Sequence, residues 1–188
     1  MQDDLLKSVN LSFLNFKTIN LPVEKMKGLL LPILLISVAF TGCVKTQSAI
    51  EAYRAQAAID DKIVGQYLDA HNLRGVAKKV TDTSGAYYMV LDTGKGDDIF
   101  TSSTQITVGD TCRLLTTGDT VAETNQFHPS YVMGQVILGW QLGIPKIKRG
   151  GRIRLLLPSR YAYGPSIQGN IPKNAILDFT VQLYDILN

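Results

Sequence analysis

The chain is poor in the residues that carry proton and metal chemistry. Its 188 residues include two histidines, His71 and His128, and two cysteines, Cys43 and Cys112. A zinc centre needs several such ligands in one small volume, and that shortage argues against a metal or cofactor of this kind. Nucleophilic catalysis at Cys112 would want a partner base, and no converging set of titratable groups is visible. Set in "TCRLL", Cys112 reads instead as a small buried apolar side chain in a strand. Charge of one sign is also missing: 19 Lys and Arg stand against 16 Asp and Glu, a net +3. Nothing in that balance asks for a nucleic-acid partner. Asp97 and Asp98 read as a solvated loop pair.

One long apolar run is present. Residues 26–42 read "MKGLLLPILLISVAFTG" and lead directly to Cys43. Lys25 and Lys27 precede the run and small residues follow it, the layout of a secretory signal peptide. The ending "FTGC" resembles a bacterial lipobox, which implies cleavage before Cys43, lipidation of that cysteine, and a membrane-anchored lipoprotein of the bacterial cell envelope. A buried apolar helix would share the run but not the flanks. Residues 1–25 lack the character of a secretion n-region and are expected to be an upstream extension, with Met26 the natural start.

From Cys43 to residue 84 the pattern is a tether and then a helix. Ile59, Ile63, Tyr67 and Ala70 recur at spacings of four, four and three, with charges between them. This predicts an amphipathic helix over 48–73 that packs on the domain following it; a helix-mediated dimer is the alternative. From Gly85 the period turns to two. Strands are predicted at 86–92, 111–117, 130–134, 152–158 and 175–186. In the last, Leu177, Phe179, Val181 and Leu183 share one face. The stretch between the third and fourth strands holds one or two helical turns around Trp140. The fold class is therefore α+β: an antiparallel sheet with one short helix on its apolar face, over residues 85–188.

The distinctive residues of this domain are apolar and aromatic: Val136, Ile137, Trp140, Tyr161, Tyr163, Ile171 and Phe179. They come from the short helix, from the loop "RYAYGPSIQGN" and from the last strand. One sheet face can gather them around a concave apolar pocket. A turn needs the Gly, Pro, Asn and Ser of that loop but not two tyrosine rings. A plain aromatic core would account for Trp140 and Phe179, though not for Tyr163 beside Gly164 and Pro165.

"VGDTC", "GQVILGWQLGIPKIKRGGRIRLLLPSRYAYG", "NIP" and "AILDFTVQLYDI" together resemble the FKBP-type peptidyl-prolyl isomerases over residues 85–188. The resemblance implies a sheet curled around one short helix, with Trp140 as the floor under a proline ring. It makes the backbone of Ile137 a donor, with Val136 beside it. Tyr163 becomes the wall tyrosine whose hydroxyl meets a substrate carbonyl, and Ile171 and Phe179 the overhang and last-strand contacts. Proline-containing polypeptides are the implied clients.

Two segments depart from the family pattern. "LTTG" stands for the usual "HYTG", which puts Thr116 in place of a pocket tyrosine. "AETN" stands for "FDSS", which puts Ala122 and Glu123 in place of a wall phenylalanine and a buried aspartate. Tyr131, or Phe127, fills in for a further ring. The pocket is thus expected to be wider and wetter on that side. Two functions follow: a folding-assisting isomerase, or a catalytically weak FKBP-like domain that binds proteins. The basic run "KIKRGGRIR" reads as the solvated face of a turn and strand, with an acidic partner or lipid surface as the sharper alternative.

Overall fold

The last strand sets the architecture, because its alternation is strict and then deliberately broken. The structure, a computed structural model, describes the backbone from Val23 and the side chains from Gln47 to the C-terminus. Residues 1–22, and the side chains of the signal segment 26–42 and of Cys43, lie outside the described residues. Two units divide the chain, Met1–Ser48 and Ala49–Asn188, and the second is the subject here. Among the described residues no helix is long and apolar enough to cross a membrane.

Helix α1 runs Val23–Ala70, followed by strands β1 (Lys78–Lys79), β2 (Tyr87–Asp92), β3 (Gln105–Leu114), β4 (Thr120–Glu123) and β5 (Ser130–Val132). The short helix α2 (Leu138–Gly143), β6 (Arg152–Leu157) and β7 (Leu177–Leu187) complete the order. All pairings are antiparallel, in the order β1-β2-β6-β7-β3-β4, with β5 pairing the other half of β3's free edge. The mixed helix and antiparallel sheet are as expected. The second strand begins six residues earlier than the sequence pattern suggested and ends three earlier.

On β7, Leu177, Phe179, Val181 and Leu183 are buried in alternation. The register against β3 then shifts between Thr107 and Val108, so that Ile186 rather than Asp185 turns inward. On β6, Ile153, Leu155 and Leu157 face the same side, where α2 covers them. That approach depends on glycine. A Cβ on Gly139 would lie 2.4 Å from Leu157 Cδ1, and one on Gly143 would lie 2.6 Å from Leu155 Cδ2. Two glycines four apart thus let the helix seat directly on the strand.

The convex face is covered by α1. Val64 and Leu68 are fully buried against Met89, Leu115, Leu156 and Ile176, with Ile63 and Tyr67 at the margin. The helix therefore packs on its own domain, as its favoured reading held, but with a rotated face. Ile59 is 52% exposed and Ala70 is exposed, whereas the buried row is Asp60, Val64 and Leu68. A carboxylate in an apolar stripe hides the period from a hydropathy reading. The basic run is largely neutralised within the domain. Lys148 pairs with Asp97, Arg149 with Asp98 and Asp185, and Arg154 with Asp178 in a bidentate pair at 2.8 and 2.7 Å. The same pairs give Asp97 and Asp98 partners that the sequence did not suggest.

A candidate proline pocket on the concave face

Between α2 and the β3–β4 part of the sheet lies a cavity of about 320 Å³. Trp140 comes from the first turn of α2 and Val136 and Ile137 from the residues that enter it. Phe179 comes from β7, Tyr163 and Ile171 from the segment joining β6 to β7, and Tyr131 from β5. The structure brings all seven together. Two edge-on contacts hold the indole: Trp140 to Phe179 at 5.4 Å between centroids, and Trp140 to Tyr131 at 5.9 Å. The indole Nε1 is buried and has no hydrogen-bond partner among the described residues.

Ile137 enters the helix in an extended conformation, φ −57° and ψ 148°. Its carbonyl accepts from the Trp140 and Gln141 amides at 2.9 and 3.2 Å, but its own N–H donates to no described group. Gln141 Nε2 donates to the Val136 carbonyl at 2.7 Å and fixes that turn. The entry to α2 thus presents an unengaged amide to an apolar cavity.

Tyr163 is held by the turn that carries it. The Ser159 carbonyl accepts from the Ala162 and Gly164 amides, both at 2.9 Å, and the Gly164 carbonyl accepts from Asn174 N–H at 2.7 Å. Gly164 takes φ +56°, open to glycine without strain. Behind this turn Asp60 of α1 accepts from Ser159 N–H at 2.8 Å and from Ser159 Oγ at 2.6 Å. Its other oxygen accepts from Gln56 Nε2 at 2.7 Å. Arg160 donates twice to Asp61, at 2.7 and 2.9 Å, and lies 5.1 Å over the Tyr161 ring. The two tyrosines of the loop therefore differ in task. Tyr161 packs on the core under Arg160, and Tyr163 faces the cavity.

The opposite wall corrects the sequence reading. Thr116 is exposed in the turn after β3 and does not line the cavity. Asp110 and Cys112 line it instead, with Ala122, Glu123 and Thr124 across from them. The reason is register. With the strand starting at Gln105, the inward positions are Ile106, Val108, Asp110, Cys112 and Leu114, and Cys112 sits directly opposite Phe179. The match of "LTTG" to "HYTG" puts the wall four residues too late. Extending the period of two back through "TQITVGD" was the available signal. Phe127 is 73% exposed and no part of the lining, so Tyr131 is the ring that stands there.

Burial dominates the electrostatics of this wall. It pushes the Cys112 thiol up to about 12, with Asp110 and Asp178 adding to the effect. Burial likewise pushes up the Asp110 carboxyl and the Tyr163 phenol, the latter with help from Cys112, Asp110 and Tyr131. Cys112 is thus a buried, protonated, apolar wall and no nucleophile. Among the described residues no three His, Cys, Asp or Glu side chains converge as a metal site.

An open antiparallel sheet around a short helix, with a ring-lined cavity at the helix entrance, defines an α+β class of domain. Residues 97–184 match the family described as "FKBP-type peptidyl-prolyl cis-trans isomerase". The chain is 36% identical over 124 residues to "FKBP-type peptidyl-prolyl cis-trans isomerase FkpA" of Buchnera aphidicola, covering 62% of this chain and 45% of that protein. It is 51% identical over 55 residues to "FK506-binding protein 1" of Candida glabrata, covering 29% and 48% respectively. The crystal structure of FkpA from Escherichia coli superposes with a TM-score of 0.59 at 28% identity, over 89% of this chain and 74% of that one. The chain spans about half the length of the curated relatives it matches.

Proposed function

We propose that the chain is a peptidyl-prolyl cis-trans isomerase that assists protein folding in the bacterial cell envelope, where lipidated Cys43 anchors it to the membrane. The observation that carries this reading is the unengaged Ile137 amide beside the Trp140 floor, in a cavity lined mostly by apolar side chains. An X-Pro bond rotates over a barrier of roughly 18–20 kcal/mol. The planar amide is a charge-separated resonance form that water stabilises. A proline ring seated on Trp140 would take that amide out of water, leaving fixed donors to hold the carbonyl as it twists. Ile137 N–H is the fixed backbone donor, and the Tyr163 hydroxyl, kept protonated by burial, is the second. No proton has to move, so the scarcity of histidine is no obstacle.

A protease-coupled isomerisation assay on proline tetrapeptide anilides, with the full chain in mild detergent, tests the proposal. Trp140→Ala should lower kcat/KM by at least about tenfold through loss of the floor, and Tyr163→Phe by about threefold to tenfold through loss of one donor. Wild-type turnover no faster than the uncatalysed rate would reject the isomerase reading. Asp110, Cys112 and Ala122 line that wall without a ring, which favours a second reading, a weakly catalytic protein-binding lipoprotein. It predicts suppression of client aggregation without turnover. For the anchor, Cys43→Ser should move the protein out of the membrane fraction.

A further inference from the structure

The β3–β4 wall of the cavity carries two carboxylates, Asp110 and Glu123, and no lysine, arginine or histidine lines it. Asp110 is half-buried, yet its carboxylate accepts nothing from the described residues. The hydrogen bonds at this residue are main-chain ones: its N–H donates to Thr124 Oγ1 at 2.8 Å, and its carbonyl accepts from Thr124 N–H at 3.0 Å and Oγ1 at 3.3 Å. Other sheltered acids of the domain are partnered, Asp178 by Arg154, Asp98 by Arg149 and Asp60 by Ser159. A half-buried carboxylate without a counter-charge is unfavourable unless a partner arrives from outside. Asp110 opens onto the cavity, whereas the Glu123 carboxylate accepts from Thr111 Oγ1 at 3.4 Å and borders, with Arg152, the neighbouring cleft.

We propose that this pocket selects polypeptide segments bearing a lysine or arginine beside the proline, with Asp110 the specificity-determining residue. The inference rests on the proline-pocket reading above and names the substrate class for it. A cation next to the proline ring would find in Asp110 a partner that is partly desolvated before binding, where a charge pair is worth more than at the open surface. A glutamate in the same place would meet a like charge.

The test uses tetrapeptide anilides Ala-X-Pro-Phe and Ala-Pro-X-Phe with X as Lys, Leu or Glu, and the full chain in neutral detergent. Binding is read from the fluorescence of Trp140, the sole tryptophan, and turnover by the protease-coupled assay. Lysine peptides in one of the two series should bind about tenfold tighter than glutamate peptides, with the gap narrowing at high salt. Asp110→Asn should shrink the lysine-to-glutamate ratio about fivefold, and Glu123→Gln by less. Equal binding of lysine and glutamate peptides to wild type overturns the proposal, as does a ratio that survives Asp110→Asn. Lysine-selective binding without turnover would sink the isomerase reading while leaving the selectivity standing.

Discussion

Asp60 and Asp110 are both carboxylates drawn into an otherwise apolar setting, and they are furnished in opposite ways. Asp60 is 1% exposed and accepts three hydrogen bonds, two from Ser159 and one from Gln56. The Asp110 carboxylate is half-buried, borders an open cavity and accepts none from the described residues. At Asp60, helix and turn satisfy one another, and both carboxylate oxygens are engaged. The wall around Asp110 is unfinished in the same terms. Buried polar groups that serve structure are saturated, so an unsaturated one beside a cavity marks where binding energy is still to be gained.

Removing the two carboxylates should therefore shift stability in opposite directions. Asp60→Ala leaves the buried Ser159 N–H and hydroxyl without acceptors and should lower the unfolding free energy by about 3 kcal/mol. Urea denaturation of the full chain measures this, and a loss below about 1 kcal/mol would show that water replaces the carboxylate. Asp60→Asn keeps one acceptor oxygen and should lose about half as much. Because the Ser159 turn carries Tyr163, these variants should also lower kcat for proline peptides in the fraction that remains folded.

Asp110→Asn should instead stabilise the protein at neutral pH, by about 0.5–1 kcal/mol, since it deletes an uncompensated charge. The pH dependence has a fixed sign. Burial raises the folded-state carboxyl above its unfolded value, so the folded protein holds that proton more tightly. The destabilisation by Asp110 is thus full above the folded-state value and fades as pH falls through it into the ordinary carboxylate range. The gain from Asp110→Asn should shrink over that interval in paired thermal melts. A gain that stays constant with pH would assign it to packing.

Most of the pocket was legible in the sequence because α2, β6 and β7 carry dense local signals. Trp140 sits inside one short helical stretch, and Phe179 inside an unbroken alternation. Gly164 and Pro165 mark the turn that lifts Tyr163. The β3 wall was not, because "TQITVGDTC" is half polar and its period of two competes with the appearance of a loop. Matching "LTTG" to the family's "HYTG" put Thr116 where Asp110 and Cys112 stand. The helix face was misread for a related reason: Asp60 lies in the buried row, and its partner Ser159 is 99 residues away. Long-range satisfaction of a polar group leaves no periodic trace in the chain.

Asp61 supplies the smallest effect and the sharpest control on the comparison. It is the next residue on α1 and reaches the next residue of the same turn, Arg160, by two hydrogen bonds. The geometry is as good as that of Asp60 with Ser159, but the Asp61 side chain is 44% exposed. Exposed pairs of this kind contribute about 0.5 kcal/mol, and screening reduces them. Asp61→Ala should thus lose about 0.5 kcal/mol in low salt and nearly nothing in 1 M salt. The Asp60→Ala deficit should hold across the same range, because its partners are neutral and buried. Equal deficits for the two variants would mean that the helix–turn junction opens to water, and the contrast between a sealed carboxylate and a waiting one would then have to rest on Asp110 alone.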